Sequence, residues 1–241
     1  MEVYEVMPGI LIANDLCVVD ESEGMVAIAD LHIGMESALE KEGILIPRMQ
    51  TATMRNSLIR IIDKYAPEKI LVVGDLKHEF SKNLEQEWNE VRSMLSLLRE
   101  HSDVILIKGN HDNYLKAIAS KMGIEVVDIF STKRITFAHG HIAIDRRPLM
   151  IGHEHPSVKL LDRVGAAIKL PCFVFLRKER VIVLPAFSPL AMGVDIARAG
   201  PSECLSPILQ KADLNKAEVF ACSEVGLLKL GKIEAIRSLS E

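Results

Sequence analysis

The chain of 241 residues is 49% hydrophobic and 26% charged, which is ordinary for a globular protein with one substantial core. Its 29 basic and 33 acidic side chains leave a net charge of −4 without a long run of either sign, which argues against a histone-like nucleic-acid binder but does not exclude a nuclease. The longest apolar runs have only the length of strands, and the N-terminus lacks the pattern of a secretory signal, so we expect no membrane segment and a cytoplasmic protein. Four widely spaced cysteines without a Cys-x-x-Cys pair predict unpaired thiols. We expect a single domain over residues 1–241, with its motifs within 30–155 and a β-rich closing segment over 172–241.

Three short apolar runs in the first half each end at a polar motif. They are residues 24–30, 69–75 and 103–109, and their content of Val and Ile predicts buried strands. Apolar residues recur at spacings of three and four over 48–65 and 84–101, which predicts amphipathic helices that cross over a parallel sheet. Ligands bind beyond the carboxyl ends of the strands in such a sheet, so we expect the residues that follow the three runs to share one edge.

The second half of the chain predicts a second, more antiparallel sheet. Its strands are expected over 134–138, 149–151, 172–176 and 181–184, and a turn at 177–180 joins the last two. Residues 217–221 and 225–230, followed by 232–236, suggest a closing meander after a proline-rich stretch of loops.

Five motifs follow these runs and contain most of the histidines. They are Asp30-Leu31-His32, Gly74-Asp75, Gly109-Asn110-His111-Asp112, His139-Gly140-His141 and Gly152-His153-Glu154-His155. Seven of the eight histidines lie in these motifs or three residues beyond Asp75, whereas core or surface histidines would scatter. Carboxylates, amides and imidazoles are ligands for manganese, iron and zinc, so the motifs predict a metal site.

Several motifs also have a simpler interpretation. Gly74-Asp75 is typical of a tight turn, and residues 109–112 are typical of a strand-to-helix turn with Asn or Asp as the N-cap. On an extended segment the i, i+2 spacing of His153 and His155 directs both rings to one side, which favours a metal role. We expect His139 to bind metal directly and its neighbour at 141 to pack behind it.

Three further residues are candidate substrate contacts: Arg48, Lys77 and His78. The alternative for Lys77 is solvated surface charge, and the alternative for His78 is a partly exposed loop histidine.

In their order and at these strand ends, the motifs resemble those of the calcineurin-like metallophosphoesterases. Segments 43–48, 74–80 and 184–189 are similar to a narrower branch, the archaeal SbcD-related phosphoesterases and the bacterial ligase-associated metallophosphoesterases. The resemblance implies an α/β fold, a four-layer αββα sandwich of two mixed β-sheets flanked by helices.

The resemblance also implies the ligands of two divalent metal ions, manganese first and iron or zinc as alternatives. One ion would be held by Asp30, His32 and His155, and the other by Asn110, His139 and His153. The carboxylate of Asp75 would bridge them.

The function implied is hydrolysis of phosphodiester bonds, with His111 as the catalytic group and Asp112 as the residue that orients its ring. The narrower resemblance implies a single-stranded DNA endonuclease in DNA repair, with helicase or ligase partners. One alternative is a phosphodiesterase or phosphatase for a small nucleotide or other phosphoester. The other is a non-catalytic interaction scaffold, although scaffolds of that kind usually lack a ligand and none is missing in this chain.

Overall fold

A computed structural model of the protein describes residues 1–78, 85–161, 167–191 and 193–238. Positions 79, 80 and 84 of the segments named above lie outside these ranges. The first seven strands form one sheet and lie side by side in chain order: β1 (Val3–Met7), β2 (Ile10–Ala13), β3 (Cys17–Asp20), β4 (Met25–Ala29), β5 (Lys69–Val73), β6 (Asp103–Ile107) and β7 (Glu125–Val127). β1 to β4 are antiparallel neighbours, and β4 to β7 are parallel.

The second half forms an eight-stranded sheet from β8 (Ile129–Ser131), β9 (Thr136–Ala138), β10 (Leu149–Ile151), β11 (Ser157–Leu161), β12 (Ala167–Leu176), β13 (Val181–Val183), β14 (Glu218–Ser223) and β15 (Gly226–Lys232). Its order is β15-β14-β12-β13-β10-β9-β8, and β11 pairs with the extended β12. β10 is parallel to both β9 and β13, while the other pairs are antiparallel. Both sheets are therefore mixed.

Five helices complete the described structure: α1 (Met35–Lys41), α2 (Gln50–Tyr65), α3 (Glu85–His101), α4 (Leu115–Lys121) and α5 (Ile233–Ser238). Three apolar cores separate four layers, in the order helices, first sheet, second sheet and C-terminal segment. β4 shows how the sequence builds the first two cores, because Val26 and Ile28 pack towards the helices while Ala27 and Ala29 pack towards the second sheet. The outer layer on the second sheet consists of α5 and three single 3₁₀ turns instead of long helices.

Most of the sequence predictions for secondary structure are confirmed, and one is wrong. The three apolar runs form β4, β5 and β6, and the two periodic segments form α2 and α3. Residues 232–236 do not continue the meander, because the chain turns into α5 and buries Ile233 and Ile236 against the second sheet. Among the described residues, no helix combines the length and apolar character needed to cross a membrane.

The topology brings the ends of five strands to one edge of the sandwich. β4, β5 and β6 are parallel in the first sheet, and β9 and β10 are parallel in the second. Each of these five strands ends at or within three residues of one of the histidine or carboxylate motifs. The three motifs that follow β4, β5 and β6 share one edge as predicted, and the second sheet brings two more motifs to it.

Candidate metal centre

Seven side chains from the five motifs converge at this edge and are mostly buried. Asp30, His32, Asp75 and His139 are each less than 5% exposed. The seven are the residues for which metal binding is predicted: Asp30, His32, Asp75, Asn110, His139, His153 and His155.

The first group consists of Asp30, His32 and His155. The Nε2 atom of His155 lies 3.5 Å from Oδ1 of Asp30 and 3.1 Å from Nε2 of His32. Potential ligand atoms of all three residues lie within 4.8 Å of one another, which is the spacing of donors around one cation.

The second group consists of Asp75, His139 and His153, whose ligand atoms also lie within 4.8 Å of one another. Asn110 belongs beside them, because its Oδ1 is 2.9 Å from Nε2 of His139. The Oδ2 atom of Asp75 is 3.2 Å from that same nitrogen and 3.9 Å from Nε2 of His32. This carboxylate therefore stands between the two groups.

The chemistry of the donors fits a pair of divalent cations. The Oδ1 atom of Asp30 is buried and has no hydrogen-bond partner among the described residues, which is costly for a carboxylate oxygen. It faces the Nδ1 atom of His139 at 3.6 Å as well as the His155 ring. A cation between these atoms would satisfy the oxygen, and mixed imidazole and oxygen donors suit manganese, iron or zinc.

The backbone at these ligands is unusual. Asp30, His32, Asp75, His153 and His155 have φ between 41° and 68°, in the left-handed region that non-glycine residues rarely adopt. Such residues cost about 1–3 kcal/mol each and cluster at functional sites. The strain is concentrated on the residues whose donor atoms converge.

Glycines allow the motifs to approach one another closely. A Cβ atom on Gly74 would lie 2.0 Å from Nδ1 of His139, and one on Gly109 would lie 2.0 Å from Oδ1 of Asp75. Gly74 also has φ of 79°. The turn expected at Gly74-Asp75 and its place in the site are therefore compatible.

The surroundings of the candidate ligands shift their pKa values in both directions. Burial lowers the pKa of His139, but its hydrogen bond to Asp75 and the charges of Asp30 and Asp75 outweigh burial and raise this pKa to about 9. Burial lowers the pKa of His32 and of His153 to about 4. Burial opposes ionisation of Asp75, yet the hydrogen bond and charge of His139 hold its pKa well below the usual range. At neutral pH the pair is an imidazolium and a carboxylate.

His111 and His78 lie beside the first group. Their rings are parallel with centroids 5.8 Å apart, and both meet the His32 ring edge-on. The Nδ1 atom of His111 is 2.7 Å from the carbonyl oxygen of His78, so this nitrogen donates a hydrogen bond. The Nε2 atom then donates to a substrate only when the ring is protonated on both nitrogens.

The orienting role predicted for Asp112 is not what the structure has. One oxygen of its carboxylate accepts the backbone N–H of Gly109 at 2.9 Å, and the other accepts that of Lys77 at 3.3 Å. Burial raises the pKa of Asp112 to about 6. Asp112 thus ties the loop after β6 to the loop after β5, while a backbone carbonyl orients the His111 ring.

The predicted substrate contacts have different positions. Arg48 lies at the surface, where its guanidinium group makes a bidentate ion pair with Glu40. Lys77 is 2% exposed, so the alternative of solvated surface charge is wrong for it. The rings of His139 and His141 have centroids 5.2 Å apart, so the latter packs against the predicted ligand.

Sequence reasoning missed the polar residues that hold the metal loops. The Nε2 atom of Gln50, at the start of α2, donates to the carbonyl of His32 at 3.0 Å and to Oγ of Ser188 at 2.8 Å. The buried carboxylate of Glu154 accepts the backbone N–H groups of Leu205 and Ser206. Glu154 could have been singled out because it lies between two predicted ligands in the sequence. The sequence around Gln50 shows only that this residue lies near the start of a helix.

The comparisons with known proteins agree with this geometry. A family model described as calcineurin-like phosphoesterase matches residues 25–211, a range that contains all seven candidate ligands. The crystal structure of the nuclease MPE of Pseudomonas putida has a TM-score of 0.69 and 20% identity, over 95% of this chain and 99% of that chain, which shows the fold. The protein of unknown function AQ665 from Aquifex aeolicus has a TM-score of 0.36 and 18% identity, over 58% of this chain and 81% of that one, too low to support an inference. No curated protein matches the chain.

Proposed function

Because this chain belongs to the calcineurin-like phosphoesterase family and is therefore a metal-dependent phosphoester hydrolase, we propose that it cleaves phosphodiester bonds in single-stranded DNA. In this proposal it acts as an endonuclease in DNA repair and uses two manganese ions, with iron or zinc as alternatives. Helicases or ligases are the partners that the narrower resemblance suggests.

The observation that carries the proposal is that the carboxylate of Asp75 lies between His32 of one group of potential ligands and His139 of another. We assign Asp30, His32 and His155 to one ion, and Asn110, His139 and His153 to the other. The Oδ2 atom of Asp75 lies 3.2 Å from Nε2 of His139 and 3.9 Å from Nε2 of His32, and it would bridge the ions.

When bound, two divalent cations supply an activated water and neutralise the charge of the phosphoryl oxygens. The chain's own groups position the ester and move a proton. We assign to His111 a hydrogen bond from Nε2 to a phosphate oxygen, or proton donation to the leaving oxygen. The carbonyl of His78 holds this ring through Nδ1, and the peptide N–H of His111 donates to Oδ1 of Asp75 at 2.9 Å. His111 is therefore fixed relative to the proposed bridge.

A cleft beside the first group supports a single-stranded substrate. It has a volume of about 230 Å³, borders His155 and has apolar walls that include Leu16, Pro156 and Pro189. A base that has left the stack can bury its faces against such walls, which a duplex base cannot do. The solved structure with the similar fold is that of a nuclease, and this similarity favours a nucleic acid as the proposed substrate over a small phosphoester.

The test is manganese-dependent nicking of circular single-stranded DNA, run beside hydrolysis of bis(p-nitrophenyl) phosphate. Asp75→Ala removes the proposed bridge. Asp63→Ala, an exposed residue on α2, is the matched control. We expect the wild type and the control to cut the circle, and Asp75→Ala to lose both activities.

Two outcomes contradict the proposal in different ways. Hydrolysis of the small diester without cleavage of DNA would make the protein a small-molecule phosphodiesterase. If Asp75→Ala kept both activities, another site would have to carry out the hydrolysis.

A further inference from the structure

A second cleft opens at the end of the sandwich opposite the metal centre. It has a volume of about 610 Å³ and lies between the β1–β2 turn of the first sheet and the starts of β9, β10 and β13 in the second. Arg134 lies at this cleft and His139 at the metal centre, one at each end of β9. Arg134 comes two residues before β9 begins and His139 directly after it ends, so the strand separates the two sites.

The inner wall of this cleft is formed by residues from one end of the buried core between the sheets. Val6, Ile10 and Phe175 line it, and each belongs to that core. The volume is in the range of pockets that hold small organic ligands, which are mostly apolar with a few polar groups. The wall therefore suits a flat or apolar group.

The rim of the cleft, in contrast to its apolar inner wall, is positively charged. Arg134, Arg177 and Arg180 are all exposed and all line the cleft, and no carboxylate is among the described lining residues. In a chain with a net charge of −4, the guanidinium groups of Arg134 and Arg180 form a local positive field at this opening, while Glu218 offsets the charge of Arg177. The cleft therefore attracts an anion.

Two of these arginines are held in place. The Nη1 atom of Arg134 donates to the carbonyl of Pro8 at 2.6 Å, and a Cβ atom on Gly9 would lie only 2.5 Å from that nitrogen. Arg177 lies over the Phe175 ring, with 4.7 Å from guanidinium carbon to ring centroid, and pairs with Glu218. Fixed guanidinium groups lose less conformational entropy when they bind.

Arg180 differs from the other two arginines in that, within the described part of the chain, its side chain is not held in place. It lies in the β12–β13 turn with φ of 56°, and no ion pair to its side chain exists among the described residues. Of the three arginines it is the one most available to a ligand.

We propose that this cleft binds an aromatic organic phosphate of the nucleotide class. Arg134 and Arg180 would receive the phosphate, because the planar guanidinium fork matches phosphate oxygens. The aromatic ring would lie against Ile10 and Phe175, with the Arg177 plane beside it. A free nucleotide and the phosphorylated end of a nucleic acid strand share this chemistry. Binding there requires no hydrolysis at the metal centre.

The test is calorimetric titration of the whole protein with 5′-AMP in excess EDTA, which keeps metal-bound phosphate out of the measurement. Arg180→Asn removes the charge and suits the left-handed backbone. Arg55→Asn, on the exposed side of α2, is the matched control. We expect one molecule of 5′-AMP per chain, binding at least about tenfold weaker in Arg180→Asn, and no change in the control.

Further arms identify the ligand. Tighter binding of the 5′-phosphorylated dinucleotide pApA than of 5′-AMP supports a strand end, and equal binding supports a free nucleotide. Three results would overturn the proposal: no binding of 5′-AMP at millimolar concentration, equal affinity in Arg180→Asn, or inorganic phosphate binding as tightly as 5′-AMP.

Discussion

Gly74→Ala tests whether close approach of the motifs is what builds the metal centre. A Cβ atom at this position would lie 2.0 Å from Nδ1 and 2.4 Å from Cγ of His139, where ordinary contact begins at 3.4 Å. The ring is 1% exposed and bordered by Asn110, so it has no free space to enter. Either the ring or the backbone after β5 must move by more than 1 Å.

The size of the effect follows from two separate costs. Alanine in the left-handed region costs about 1–2 kcal/mol, and this applies equally to Gly123, whose φ is 65°. Overpacking adds about 1–3 kcal/mol at Gly74 only, since a Cβ atom on Gly123 would have no neighbour within 4 Å. We therefore expect the free energy of unfolding to fall by about 2–5 kcal/mol in Gly74→Ala and by about 1–2 kcal/mol in Gly123→Ala.

The assay combines urea unfolding in EDTA with metal analysis and diester hydrolysis. Displacement of His139 by 1 Å or more should remove one metal ion and lower turnover at least about 100-fold in Gly74→Ala. Gly123→Ala should keep both ions and its turnover. Equal losses of stability in the two variants, with full metal in both, would refute the steric argument.

Three further predictions concern the same molecule. His111→Ala should keep both metal ions but lose about 10²–10⁴-fold in hydrolysis of an unactivated diester, whereas His101→Ala should not; unchanged turnover would remove His111 from the mechanism. The pKa of His139 is about 9 without metal, so its ring must lose a proton before it can bind an ion. Metal uptake should therefore release protons, and the affinity for metal should increase as pH rises to about 9. Calorimetry in buffers of different ionisation enthalpy measures this release, and pH-independent uptake would contradict it. Burial raises the pKa of all four cysteine thiols, so they should react with Ellman's reagent only after unfolding.

The same pKa of His139 has a consequence for the metal-free fold. A pKa raised from 6.5 means that the charged ring stabilises the folded state fully below pH 6.5. This contribution is lost as pH rises through about 9. The free energy of unfolding of the metal-free protein should therefore fall over the same pH range in which metal binding becomes stronger.

The parts of the fold that could be predicted are those whose signal is local. β4, β5 and β6 are apolar on both faces, because one face meets the helices and the other meets the second sheet. Continuous apolar runs that end in polar motifs therefore located both the strands and the edge that carries the ligands.

The N-terminal strands were not predicted, although turn residues separate them. Pro8-Gly9 lies between β1 and β2, and Asn14-Asp15 lies between β2 and β3, both typical of hairpin turns. The four or five residues of each strand give too few positions for a clear period, and, unlike β4, β5 and β6, these strands are not followed by one of the histidine or carboxylate motifs. The helix α5 was missed for a similar reason, since six residues with two buried isoleucines fit either period.

The side chains that converge at the candidate site could be predicted from the motifs, but the groups that support them could not. Which carbonyl holds the His111 ring, or which N–H groups Asp112 accepts, depends on how two loops pack and leaves no pattern in the chain. The burial of Lys77 could not be predicted for the same reason. It follows from the bridge between residues 33 and 77, which joins the loops after β4 and β5.

The left-handed backbone of the candidate ligands explains why those supports exist. Three strand-end motifs, those at Asp30, Asp75 and His153, each place a candidate ligand at positive φ, where the backbone alone would relax. Gln50 donates to the carbonyl of His32, and Glu154 accepts two backbone N–H groups from the 204–206 segment. These hydrogen bonds fix the peptide groups beside the ligands, so the donor atoms are held in position before an ion arrives. The strain at the ligands and the buried polar residues around them are therefore two parts of one arrangement, in which the scaffold offsets the cost of aiming every donor at the same two points.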